Sequence, residues 1–127
     1  MGKISYSAVV LDVSSVTKIK NWIGEDFNGS EWKLIAHHAT ICMGELPEHM
    51  KHRVGEIVTL TGFMFGSSDK AMAIEVEGIE SKNKIPHITI AINHETGGKP
   101  VDSNKITNWK KIKMFDVTGV ITEVEYP

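Results

Sequence analysis

Two stretches of the chain place an imidazole two residues before a hydroxyl and follow it with an apolar residue: His38-Ala39-Thr40-Ile41 and His87-Ile88-Thr89-Ile90. In a strand, side chains alternate between faces, so the His and Thr of each stretch share one face. Ala39 with Ile41, and Ile88 with Ile90, then turn to the other face and pack against helices. Each stretch thus sets a polar pair on an apolar scaffold, which costs free energy unless the pair meets partners or water. A wet cleft would satisfy both pairs. Imidazole titrates near neutrality, so a neutral copy can accept a proton while a charged copy donates one. Given 18 Ser and Thr residues, chance would give two such hits among six histidines on the order of one per cent of the time.

The elements that must carry these stretches can be read from hydrophobic period and turn residues. Tyr6–Leu11 is a valine-rich apolar run that predicts a buried strand. Ser14 or Ser15 is placed to cap a helix with Val16, Ile19 and Ile23 on one stripe, ended by Gly24. Glu25–Glu31 reads as a loop, and the later half of Trp32–Met43 as a strand. Pro47–Val54 predicts a short helix or turn, and Glu56–Phe65, Ala71–Val76 and His87–Ile92 predict strands. Gly78–Ile85 is a polar connection. Asp102 or Ser103 can cap a second helix through Trp109, and Phe115–Val124 supplies the last strand or strands. Six or seven strands with few helices make an α+β pattern.

The order of these elements repeats. Each half offers an apolar strand, a His-x-Thr strand, a short helical stretch and a strand with Thr-Gly. These are Ser7–Leu11, His38–Thr40, Pro47–Val54 and Thr61-Gly62, then Met72–Val76, His87–Thr89, Ser103–Trp109 and Thr118-Gly119. The repeat predicts a single domain over residues 1–127, built of two facing lobes with one His-x-Thr motif each.

His-hydrophobic-Thr-hydrophobic, present twice, resembles the two-histidine (2H) phosphoesterase superfamily. This superfamily includes RNA 2′,5′-ligase-like proteins and the cyclic phosphodiesterase domains of tRNA ligases. The string Ile85-Pro86-His87-Ile88-Thr89-Ile90-Ala91-Ile92 and the strand before the first motif also resemble phosphodiesterase-type domains attached to RNA-repair proteins. The two histidines lie 49 positions apart, close for this superfamily, which implies a shortened helix in the second lobe. The resemblance implies a two-lobed, pseudo-twofold fold with antiparallel sheets and a few short helices. It also implies metal-independent hydrolysis of a 2′,3′-cyclic phosphate to a 2′-phosphate, with no cofactor. His38 and His87 would be the catalytic pair, and Thr40 and Thr89 would bind the phosphate. Opening such a ring needs a base on the water side and an acid on the leaving-oxygen side at once, while the threonine hydroxyls steady the growing phosphate charge. Either histidine can be the acid. The resemblance implies an RNA end or a small cyclic nucleotide as the substrate. A cyclic nucleotide or cyclic oligonucleotide signal, and a catalytically silent RNA- or nucleotide-binding module, are the alternatives.

Further residues are candidates for substrate contact. Tyr6 can reach the cleft from the first strand, Lys99 sits beside Gly97-Gly98 after the second motif, and Ser103 sits at an expected helix start, where it can cap or bind an anion. Trp32 and Trp109 can stack a base or pack in the core. Lys70 reads as a gatekeeper at the start of a strand. His37 should point away from His38 on a regular strand, and His49, His52 and His94 have no ligand spacing. Substrate choice would lie in loops Gly24–Glu31, Gly66–Lys70 and His94–Val101.

Of the 127 residues 41% are hydrophobic and 24% charged, the balance of a globular domain. A net charge of −2 argues against a long nucleic-acid footprint and leaves room for a local basic patch. The one cysteine, Cys42, excludes an internal disulfide and reads as a buried thiol. The N-terminal residues lack a secretory apolar run and no stretch approaches a membrane span, so a cytoplasmic protein with no membrane partner is the expectation.

Overall fold

The computed structural model describes residues 3–24 and 31–126. Strand β1 (Ile4–Leu11) leads into helix α1 (Val13–Ile23), followed by β2 (Trp32–Leu34) and β3 (His38–Met43). A 3-10 segment (Glu48–Arg53) precedes β4 (Ile57–Ser67) and β5 (Ala71–Glu77). Then come β6 (His87–Asn93), two further 3-10 segments (His94–Thr96 and Pro100–Lys105) and β7 (Asn108–Glu125). All pairings are antiparallel, in the order β2-β6-β3-β1-β7-β4-β5, and β5 also pairs with β6. The fold is α+β, one antiparallel sheet with short helices. The sheet closes on itself as a barrel. No helix among the described residues is long and apolar enough to cross a membrane.

The inward face of every long strand is apolar. Val9, Ala39, Ile41, Leu60, Ile74, Ile88, Ile90 and Ile121 are almost fully buried in one cluster. Helix α1 sits against this cluster through Ile19, with Val16 and Ile23 beside it. The Trp22 ring stacks on Phe115 at 5.6 Å. The helix is capped by Asp12, whose carboxylate accepts from the Ser15 N–H at 2.8 Å and the Ser14 hydroxyl at 2.9 Å. Ser14 and Ser15 therefore lie inside the first turn. An ionised carboxylate outcompetes a hydroxyl for that position because its bond to the free N–H groups is charge-assisted. Gly24 closes the helix at φ 84°, its N–H donating to Lys20 O.

The second helix expected through Trp109 is absent. The 3-10 segment stops at Lys105, and Trp109 belongs to β7. Its indole N–H donates to Ile106 O at 3.1 Å, and its ring lies over the bare backbone of Gly66. Pairing of Asn108 and Trp109 with Ser67 and Gly66 of β4 extends the last strand to 18 residues. Residues 25–30, most of the loop expected at Glu25–Glu31, lie outside the described residues.

One pairing scheme occurs twice. In β1–β3, Ala8 faces Thr40 and Val10 faces His38; in β5–β6, Ala73 faces Thr89 and Glu75 faces His87. The register slips at Ser7/Ala8 in the first pair and at Met72/Ala73, the matching place, in the second. Gly119 pairs with Leu11 as Gly62 pairs with Val76. Exchanging β1, β3 and β4 for β5, β6 and β7 leaves the order around the barrel unchanged. The two Thr-Gly glycines share a reason as well. A Cβ on Gly62 would lie 2.7 Å from Ile74 Cγ2, and one on Gly119 would lie 2.7 Å from Val9 Cγ1. In each half a β-branched core side chain fills the space that only glycine leaves on the facing strand.

Candidate functional site on the barrel wall

The two His-x-Thr strands are neighbours. β3 and β6 pair antiparallel through Ala39↔Ile88, both buried in the core. Alternation then turns His38, Thr40, His87 and Thr89 to the outer wall of the barrel. The same pairing sets Thr89 on the His38 side and His87 on the Thr40 side. The histidines are diagonal neighbours, on the order of 7–8 Å apart by sheet geometry. All four residues expected to do chemistry thus share one patch.

Chain direction changes just before the first motif. Ala36 takes a left-handed φ of 43°, which separates β2 from β3 and breaks the alternation expected for His37. Its ring does not point away: His37 Nδ1 lies 2.8 Å from His38 Nδ1. One of these nitrogens carries the shared proton. Tyr6 joins from β1, its ring 4.8 Å from that of His38, centroid to centroid. Burial, then the charges of His37 and His87, push the His38 imidazole down from 6.5 to about 4, so His38 is neutral at pH 7.

The second motif is held differently. His87 is buried, and its Nδ1–H donates to Ile85 O at 2.7 Å. That bond fixes the ring and leaves Nε2 for another partner. Glu75 is its cross-strand partner. Burial raises the Glu75 carboxyl, and the charge of His87 opposes that rise. Thr89 Oγ1 lies 2.9 Å from the Oγ of buried Ser103. Ser103 therefore does not cap a helix; it sits within the 3-10 segment and braces the second motif. Capping falls to Asp102, whose carboxylate accepts from the Lys99 N–H at 2.8 Å.

A cleft of about 250 Å³ opens beside His87 and Ser103. Its far side is the connection before β6, which supplies Lys82, Asn83, Lys84 and Ile85. This connection is pinned to β3: the Ser81 hydroxyl donates to Thr40 O at 2.8 Å, and the Lys82 N–H donates to Ile41 O at 2.7 Å. This is the segment expected only as a polar connection, Gly78–Ile85. Its signal was two lysines flanking an asparagine immediately ahead of the second motif. Glu75, the one acid in Ala71–Val76, was a second signal left unused.

The remaining candidates lie elsewhere. Lys99 is exposed and does not line the cleft; its backbone is committed to Asp102, and the 3-10 segment that follows carries Ser103 to the site instead. Trp109 packs with Ala71, Ala73 and Ile106, and Trp32 packs at the margin of the core. Lys70 is exposed at the start of β5. His49 pairs with Glu80 at 2.8 Å on the surface. Cys42 is buried, its thiol donating to Glu45 O at 3.2 Å. Among the described residues, no three His, Cys, Asp or Glu side chains are grouped as a metal site requires. No family model matches the chain, and no curated protein matches it.

Proposed function

We propose that the chain is a two-histidine-type phosphoesterase that hydrolyses a cyclic phosphodiester, the 2′,3′-cyclic phosphate of an RNA end or nucleotide, to a 2′-phosphate. The observation that carries this proposal is the β3–β6 pairing through Ala39↔Ile88, with both His-x-Thr pairs on one face. The recurrence of register, slip and glycine contact in the two halves supports the pseudo-twofold, two-lobed ancestry that the resemblance implies.

The environments of the two rings support one division of roles. His38 is neutral, and with the proton shared with His37 carried on its Nδ1 it keeps a lone pair on Nε2. It is the base. His87, with the Glu75 carboxylate beside it to balance an added proton, is the acid. Water loses a proton to His38 Nε2 as its oxygen bonds to phosphorus. The bond from phosphorus to the 3′ oxygen breaks, and that oxygen takes the proton from His87 Nε2, leaving the phosphate on the 2′ oxygen. Thr40 and Thr89 hydroxyls donate to the non-bridging oxygens, where charge grows. His37, exposed and bonded to His38, is a positioning residue that sets its tautomer.

The test is turnover of a substrate panel: 2′,3′-cyclic mononucleotides, an RNA with a cyclic end, 3′,5′-cyclic nucleotides and cyclic dinucleotides. The expected product is a 2′-phosphate from the 2′,3′-cyclic substrates. Binding of these compounds with no ring opened would overturn the enzymatic reading in favour of a silent binding module. Selective opening of the 3′,5′-cyclic compounds would move the substrate class to signalling nucleotides.

A further inference from the structure

The cleft next to His87 is built for more than the reacting phosphate. Ile85 and Ile106 form apolar walls, Asn83 and Asn104 add two amides, and Lys82 and Lys84 stand at the rim. Its volume of about 250 Å³ is just under the range of roughly 300–1,000 Å³ typical of small-molecule pockets, a size for one nucleoside. Apolar walls suit the faces of a base, and amides offer both a donor and an acceptor to its edge. Both lysines are exposed and neither has an acidic partner among the described residues, which leaves their ammonium groups open to an anion. Their backbone is nonetheless anchored, through Ser81 and Lys82, to the strand that carries Thr40.

We infer that this cleft binds the nucleoside that bears the cyclic phosphate, and that Lys82 and Lys84 hold a second phosphate on its 5′ side. This rests on the proposed function and narrows it. The preferred substrate is a 2′,3′-cyclic nucleotide unit that also carries a 5′-phosphate, as the last residue of an RNA does; a nucleoside cyclic phosphate with a free 5′-hydroxyl is a poor one. Two ammonium groups at the rim act as point charges on the phosphate, so the preference should weaken as salt is added.

Three substrates test the inference: adenosine 2′,3′-cyclic phosphate with a 5′-hydroxyl, the same compound with a 5′-monophosphate, and a diadenosine ending in the cyclic phosphate. At low salt, KM for either 5′-phosphorylated substrate should be at least about tenfold below that for the 5′-hydroxyl compound. If only the monoester gains, the natural substrate is a free nucleotide; a gain for the dinucleotide identifies an RNA end. The double variant Lys82→Ala/Lys84→Ala should erase the difference in KM between the 5′-phosphorylated and 5′-hydroxyl substrates. Binding of adenosine 2′,5′-bisphosphate and adenosine 2′-monophosphate, measured by calorimetry, needs no turnover. The bisphosphate should bind about tenfold tighter, and the variant should lose that margin. A binding margin without turnover would leave the cleft assignment standing and remove the catalytic one. Turnover with equal KM for all three substrates, or a margin that survives in the variant, would overturn the cleft assignment alone.

Discussion

Protonation of His38 should cost the fold stability over a defined pH window. The ring is half-buried, bonded to His37 and covered by Tyr6, and its pKa falls from 6.5 to about 4. In the unfolded chain the imidazole charges near pH 6.5, whereas the folded protein resists that proton until about pH 4. Between those limits the unfolded state binds more protons, so stability present above pH 6.5 is lost as pH falls toward 4. The full difference corresponds to roughly 3 kcal/mol, and partial exposure of the ring reduces it to about 2 kcal/mol. The perturbation is His38→Gln, which keeps a polar side chain beside Tyr6 and removes the titration. Urea unfolding of both proteins from pH 7.5 to 4 isolates the effect, because the carboxylates titrate alike in each. Wild type should lose about 2 kcal/mol more than the variant. Parallel stability curves, or a His38 ring that titrates near 6.5 by NMR, would refute the reasoning.

Other outcomes follow from the same geometry. Thr89→Val should lower kcat by about 10²-fold, the value of one charge-stabilising donor, and Ser103→Ala, which removes only the brace on Thr89, should lower it less; steady-state kinetics with thermal melts checks both. Gly119→Ala should destabilise more than Gly62→Ala, since its Cβ would meet Val10 O at 2.6 Å whereas that of Gly62 meets the end of the Ile74 side chain at 2.7 Å. A loss of about 1–3 kcal/mol for Gly119→Ala, read by denaturant unfolding, is the expected scale. Turnover should survive exhaustive EDTA treatment, and activity restored only by added divalent metal would contradict the proton-transfer scheme.

The parts of this site that were legible in the sequence are those governed by strand alternation. His38 with Thr40 and His87 with Thr89 had to share faces, and Ala39, Ile41, Ile88 and Ile90 had to be buried, because period 2 leaves no other arrangement. What alternation cannot state is which strands become neighbours. The Ala39↔Ile88 pairing joins residues far apart in the chain, and pairing of β5 with β6 closes the antiparallel strands into one barrel. His37 was misplaced because nothing marks Ala36, a non-glycine, as left-handed. Trp109 was read as helix because Lys110, Lys111 and Lys113 mask the alternation of β7, whose register against β4 slips between Gly62 and Met64. Asp12 was passed over as a cap in favour of two serines that follow it. The cleft residues Lys82–Ile85 lacked periodicity of any kind. Their place depends on two hydrogen bonds to β3 that only the folded chain brings together.

The central claim is that His38 and His87 act as one proton-transfer pair. Its most direct test is the kinetics of His38→Ala, His87→Ala and the double variant on the best substrate, with melts to show that each is folded. Either single change should lower kcat by about 10²- to 10⁴-fold, and the double variant should be little worse than either, because removing one end of the relay already disables the other. A folded His87→Ala protein with near-normal turnover would contradict the account.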